Sequence, residues 1–191
     1  MKKQIKDELT EHIQVIEGVI SEQIESIEKA AEMITDCYKN GGKVVLFGNG
    51  GSAADAQHIA GELVAKFRLE RKSLPAIALT TNTSIISAIA NDYDFDRVFE
   101  RQVESMVVAK DIVIGISTSG SSENVVRGIL RAKEKGAKTI AFTGSSSAQL
   151  KEKVDILLNI PSDDTPRIQE SHITIGHIIC GLVENKLFED K

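Results

Sequence analysis

Two residues four positions apart carry the first chemical signal in this chain. In VVLFGNGGSAADAQHIAGEL (44–63), His58 and Glu62 follow a glycine turn and lie in a run with helical spacing. Positions i and i+4 project from one helical face, so an imidazole and a carboxylate stand side by side. Such a pair has three uses: a solvated ion pair of a few tenths of a kcal/mol, part of a divalent-metal site, or a general base with a general acid. The opposite face, Ala54, Ile59 and Leu63, suits packing.

A second group lies near the C-terminus. RIQESHITIGHIICGLVE (167–184) sets Arg167, Gln169, Glu170, His172, His177 and Glu184 among apolar residues. His177 sits between isoleucines and should face inward or into an interface, where the ordinary histidine is a satisfied core residue. Gln169 and His177 are eight residues apart, about 12 Å along a helix. That separation favours a site shared between subunits. His12, in the first helical run, has no comparable surroundings.

Two loops, each following a strand and preceding a helix, have the composition of small-ligand sites. STSGSS (117–122) offers the hydroxyls of Ser117, Thr118, Ser119, Ser121 and Ser122, with Gly120 to turn the chain. A helix begins there, so unpaired N–H groups and the positive end of the helix dipole would point into the loop. The same residues also serve as plain turns and N-caps. GNGGSA (48–53) matches G-x-G-x-x-A, yet the next strand ends ALTTNTS without the carboxylate a dinucleotide ribose needs. No P-loop lysine follows either. These glycines instead suit close backbone approach to a small polar ligand.

The elements that must hold these groups alternate. KVVLFG (43–48), PAIALT (75–80), DIVIGIS (111–117), KTIAFTG (138–144) and DILLNIP (155–161) are continuous apolar runs, as in parallel strands buried on both faces. Helical patterns cover 53–66, 84–108 with a break near NDYDFD, 122–135 and 166–188. The link 145–153 is short for a crossover helix. This pattern predicts an α/β three-layer sandwich on a five-stranded parallel sheet, with ligands outside the carboxyl ends of the strands. Ahead of it, residues 4–39 read as one long helix ended by Asn40-Gly41-Gly42. That segment (1–40) has more surface than one sheet needs, and its spare face suits oligomerisation.

Composition sets outer limits. The 191 residues carry a net charge of −5, which gives no reason to expect nucleic acid as a partner. No run reaches the ~18 apolar residues of a membrane span, and no signal peptide is visible. Cys37 and Cys180, far apart in helical contexts, read as buried thiols in a reducing cytoplasm.

GNGGSAADAQHIAGEL, ALTTNTSIISAIANDY, GISTSGSSENV and IPSDDTPRIQESHITIGHIICGLVE together resemble the phosphoheptose isomerases of the sugar isomerase (SIS) superfamily. The likeness runs from about residue 41 to 188. It implies a flavodoxin-like SIS domain over 41–191 and a homotetramer with active sites between subunits. It also implies interconversion of sedoheptulose 7-phosphate and D-glycero-D-manno-heptose 7-phosphate, the first step of bacterial heptose synthesis. Matched by motif, Asn49, Gly50, Gly51, Asn91, Asp92, Ser117, Thr118, Ser119 and Ser122 would bind substrate. His58, Glu62, Gln169 and His177 fall on zinc positions, and Glu62 and Gln169 would also meet substrate. Glu62 and His177 fall on the acid–base pair. Asn82 and Ser121 depart from the commoner Asp and Asn, polar changes that would adjust substrate contacts.

Two other uses of the same fold compete: a non-catalytic module of the replication-initiator-binding type, and a sugar-phosphate sensor. Both would keep the phosphate loop without needing Glu62. The first is also expected to lack the histidine at 177.

Overall fold

Every second residue of the three central strands points to the same face, and the two sets enter two different cores. Leu46, Ile112, Ile114, Ile116, Ile140 and Phe142 belong to one core; Val45, Phe47, Val113 and Ala141 belong to the other. The structure, a computed structural model, describes residues 1–147 and 149–189. Its strands are β1 (Val44–Gly48), β2 (Ala76–Ala78), β3 (Ile112–Ser117), β4 (Lys138–Thr143) and β5 (Ile156–Asn159). They form one sheet in the order β2-β1-β3-β4-β5, all pairs parallel.

Helices cover both faces. The first core packs beneath α1 (Lys2–Glu22), α2 (Ile24–Lys39), α3 (Gly51–Val64) and α7 (Thr165–Phe188). The second lies under α5 (Val98–Met106) and α6 (Glu123–Glu134), where Phe47 stacks on Phe99 at 4.8 Å. Burying a side chain of that size contributes about 1.5–3 kcal/mol. Between β2 and α5, α4 (Thr83–Asp92) and a short 3-10 turn (Phe95–Arg97) mark the break expected at NDYDFD. The described residues of the 145–153 link carry no helix, yet β5 still joins the sheet beside β4.

The expected helix over 4–39 is two helices. Gln23 interrupts it, with its backbone at φ −117° and ψ −6° and its side chain buried. Its amide Nε2 donates to Asn159 Oδ1 (3.1 Å), and Pro161 presses on Gly18 one turn earlier. Contacts with the end of β5 therefore set the break. The stop at Asn40-Gly41-Gly42 is as expected, with Gly41 at φ +70°.

Two smaller expectations are corrected. Ala54 does not pack; it is exposed, and Ala56, Ile59, Ala60 and Leu63 form the buried face of α3. His12 is not isolated: its Nδ1 lies 2.9 Å from Glu170 Oε2, beside Arg167, which bonds Glu8 and Glu170. Cys37 and Cys180 are both free and buried. No helix among the described residues is long and apolar enough to cross a membrane.

Candidate active site

The topology places three loops at the carboxyl edge of the sheet, on either side of the switch between β1 and β3. The β1–α3 loop holds Asn49, Gly50 and Gly51. Gly50 has φ +54°, a conformation costly for a side-chain-bearing residue, and it turns the chain into α3. The β3–α6 loop holds Ser117 to Ser122, with Gly120 at φ +65°. Gly144, after β4, donates its N–H to the Thr118 carbonyl (2.9 Å) and ties the third loop to the second.

The serine hydroxyls converge. Ser117 Oγ donates to Ser122 Oγ (3.0 Å) and lies 3.4 Å from Ser119 Oγ, to which Ser121 Oγ donates (3.0 Å). Ser122 is the N-cap of α6 without a side-chain cap bond, so its hydroxyl is not committed to the helix backbone. Asn49 is fixed from α6: its amide and that of buried Asn124 exchange two hydrogen bonds of 2.9 Å each. The role of Asn124 is not visible in its sequence neighbourhood.

Farther along α3 the second cluster forms. Gly176 of α7 packs against Ile59, where an added Cβ would come within 2.7 Å of the isoleucine. That close approach brings His177 beside His58. His58 Nε2 lies 3.1 Å from Glu62 Oε1 and 3.3 Å from His177 Nε2. One ligand atom from each of the three residues lies within 4.8 Å of the others. His177 is half-buried, between His58 (rings at 4.9 Å, edge-on) and Phe67 (5.5 Å, stacked). The core histidine of α7 is instead His172, whose Nε2 lies 3.1 Å from the Thr143 carbonyl and whose pKa burial pushes down to about 4.

The single His58 Nε2 faces both Glu62 Oε1 and His177 Nε2, and one hydrogen on it can serve only one of them. Tetrahedral zinc with ligands at 2.0–2.1 Å has ligand–ligand edges of about 3.3–3.4 Å. The 3.1 and 3.3 Å separations are close to that spacing, so His58, Glu62 and His177 form a group able to hold a metal ion. Asp55, one turn before His58, has its carboxyl pushed up to about 6 by burial, with His58 acting the other way. Its Oδ2 is buried and unpartnered within the described residues.

The other expected residues are placed as follows. The Gln169 amide lies against Gly51, at the start of α3, where a Cβ on the glycine would be 2.6 Å from Nε2. His58, Glu62 and His177 meet within one chain. Asn91 and Asp92 are exposed at the end of α4, bonded to each other (2.8 Å). Asn82 caps α4, its Oδ1 accepting from Ile85 N–H (3.1 Å).

Arg71, outside every sequence motif, and Glu184, at the end of the last one, also border the cluster. Arg71 donates to the Glu62 carbonyl (2.9 Å) and pairs with Glu184 (2.8 Å). Burial alone would raise the Glu184 carboxyl; the N–H groups of Arg68, Leu69 and Phe67, then Arg71, hold it below the ordinary carboxylate range. Glu184, a carboxylate at an apolar-face spacing on α7, carried a faint signal. Arg71 carried none.

Comparison with known proteins agrees with the geometry. The SIS domain model matches residues 9–144. A phosphoheptose isomerase of Citrifermentans bemidjiense is 53% identical over 188 residues, covering 98% of each chain. The structure of a phosphoheptose isomerase from Neisseria gonorrhoeae superposes with a TM-score of 0.92 at 39% identity, covering 96% of this chain and 98% of that one. One from Francisella tularensis gives 0.93 at 36% identity, covering 96% and 97%. With the parallel α/β sheet, the hydroxyl-lined loop and the His–Glu–His cluster in place, this chain belongs to the phosphoheptose isomerase family of SIS-domain enzymes.

Proposed function

We propose that this enzyme interconverts sedoheptulose 7-phosphate and D-glycero-D-manno-heptose 7-phosphate through a cis-enediol, as the first step of bacterial heptose synthesis. The observation that carries the reading is that Glu62, on the helix the glycine loop opens, and His177 both reach His58, with one ligand atom of each of the three within 4.8 Å of the others. Moving a carbonyl from C2 to C1 requires a base to take a proton from C1 and an acid to protonate the C2 oxygen. The enediol then receives a proton at C2 and loses one from the C1 oxygen. Glu62 is the base and His177 the acid, each worth about 10²–10⁴ in rate. Glu62 meets His58 through Oε1, and its second oxygen serves the carbon acid.

The seryl loop takes the phosphate. Ser117, Thr118, Ser119 and Ser122 offer hydroxyls, and the first turn of α6 offers backbone N–H groups at the positive end of its dipole. Asn49, Gly50, Gly51, Asn91, Asp92 and Gln169 contact the sugar. His58, Glu62 and His177, with Gln169, would hold one zinc ion per chain. Zinc bound there would polarise the carbonyl and position the sugar oxygens. The chain assembles as a homotetramer with active sites between subunits, residues 1–40 serving the assembly. Support comes from Ile5, Leu9, Ile13, Ile20 and Ile24, each more than half exposed along α1 and the start of α2. The two free, buried cysteines accord with a cytoplasmic enzyme.

One assay tests the reading: sedoheptulose 7-phosphate is incubated with the protein as purified, after chelation, and after zinc is restored. An aldose 7-phosphate should form, falling on chelation and returning with zinc. No aldose under any condition overturns the activity, and undiminished turnover after thorough chelation overturns the metal.

A further inference from the structure

Glu184 lies two turns beyond His177 on α7, and its side chain is completely buried. The carboxylate accepts four hydrogen bonds: from the backbone N–H groups of Phe67 (3.1 Å), Arg68 (2.7 Å) and Leu69 (2.9 Å), and from Arg71 Nε (2.8 Å). Four bonds fill its accepting capacity. Arg71, its side chain 1% exposed, turns its other nitrogens toward α3. Nη2 donates to the Glu62 carbonyl (2.9 Å), and Nη1 donates to those of Leu63 (2.9 Å) and Lys72 (3.0 Å). Glu62 and Leu63 are in the last turn of α3, whose carbonyls lack helical partners.

The same anchor reaches the other catalytic group. Phe67, held through its N–H by Glu184, stacks on the His177 ring at 5.5 Å with 23° between planes. One buried pair thus grips the backbone of Glu62 on one side and backs the imidazole of His177 on the other. Stability alone explains such a pair poorly. Desolvating two charges consumes much of what their attraction returns, and apolar replacements of both are often neutral or stabilising. A helix end can also be closed by a glycine cap or water.

We infer that Arg71 and Glu184 are positioning residues for the isomerisation, setting the separation and mutual orientation of Glu62 and His177 through α3 and Phe67. The inference rests on the activity proposed above. It also explains why the segment after α3 folds back on α7 rather than running straight to β2.

The test replaces both charges at once, Arg71→Met with Glu184→Leu, so that neither is left buried alone. Stability, KM and kcat for sedoheptulose 7-phosphate are measured beside the wild type. The folded double variant should keep KM within about threefold and lose about 100-fold in kcat, the scale of a 1 Å misplacement. A folded variant with wild-type kcat, or with a loss carried by KM alone, overturns the inference. If the double variant does not fold, Phe67→Leu decides: kcat about tenfold lower at unchanged KM sustains the inference, and wild-type kcat overturns it. A wild type inert toward the sugar refutes the proposed activity and takes this inference with it. An active wild type with an unaffected double variant refutes only the positioning role.

Discussion

Asn49 and Asn124 exchange two amide hydrogen bonds, each 2.9 Å, across the gap between the β1–α3 and β3–α6 loops. Each amide keeps one N–H and one oxygen lone pair for other partners. In the proposed site, the pair would join the loop meeting the sugar to the helix whose first turn faces the phosphate. Asn124→Leu leaves Asn49 without its partner, at a cost of about 1–3 kcal/mol. KM for the sugar phosphate should rise about tenfold, the equivalent of 1.4 kcal/mol, with a smaller change in kcat. Steady-state kinetics and urea melts check both, and an unchanged KM contradicts the coupling.

Glu62→Gln keeps the size of the side chain and removes the proposed base. Because Glu62 is partly exposed and its i,i+4 contact with His58 is weak, the melting temperature should stay within about 2 °C. Turnover should fall by several orders of magnitude, and near-normal kcat would refute the assignment. His177→Ala should abolish turnover as well and should weaken zinc retention, read by metal analysis after gel filtration.

Asn82 holds the first turn of α4 through its side-chain oxygen. Asn82→Ala should cost about 1 kcal/mol of stability, the usual loss for a removed N-cap, whereas Asn82→Asp preserves the cap. Both should leave kcat within about twofold. A large kinetic effect of Asn82→Asp at unchanged stability would restore a substrate contact to this position.

His172 fixes a pH dependence. Burial pushes its pKa down to about 4, with the Thr143 carbonyl acting the other way, while an unfolded histidine titrates near 6.5. The unfolded chain therefore takes up the proton first on acidification. The neutral ring's contribution is complete above about pH 6.5 and is lost as pH falls toward 4, by about 3 kcal/mol at the lower end. NMR titration of the imidazole protons is the direct check, and a midpoint near 6.5 would contradict it.

The sheet was legible because parallel strands buried on both faces read as unbroken apolar runs, from Val44 to Gly48 and from Ile112 to Ser117. The pairing of His58 with Glu62 was legible because helical spacing alone creates it. What joins His177 to them was not, since it depends on Gly176 seating against Ile59, a contact across 117 positions of sequence. The break at Gln23 escaped for the same reason, its partner Asn159 lying 136 residues away. Arg71 sits in a polar stretch, RLERKS, that reads as an ordinary loop, and only the fold reveals the carbonyls it serves.

The apolar stripe on the first two helices bears on handling as well as architecture. Ile5, Leu9, Ile13, Ile20 and Ile24 keep most of their surface in water in a lone chain. The proposed assembly would shield them and would be favoured at higher protein concentration, making heat resistance a function of dose. Scans across a hundredfold dilution series should show the midpoint drifting downward as the sample thins, where a self-sufficient monomer would hold it constant.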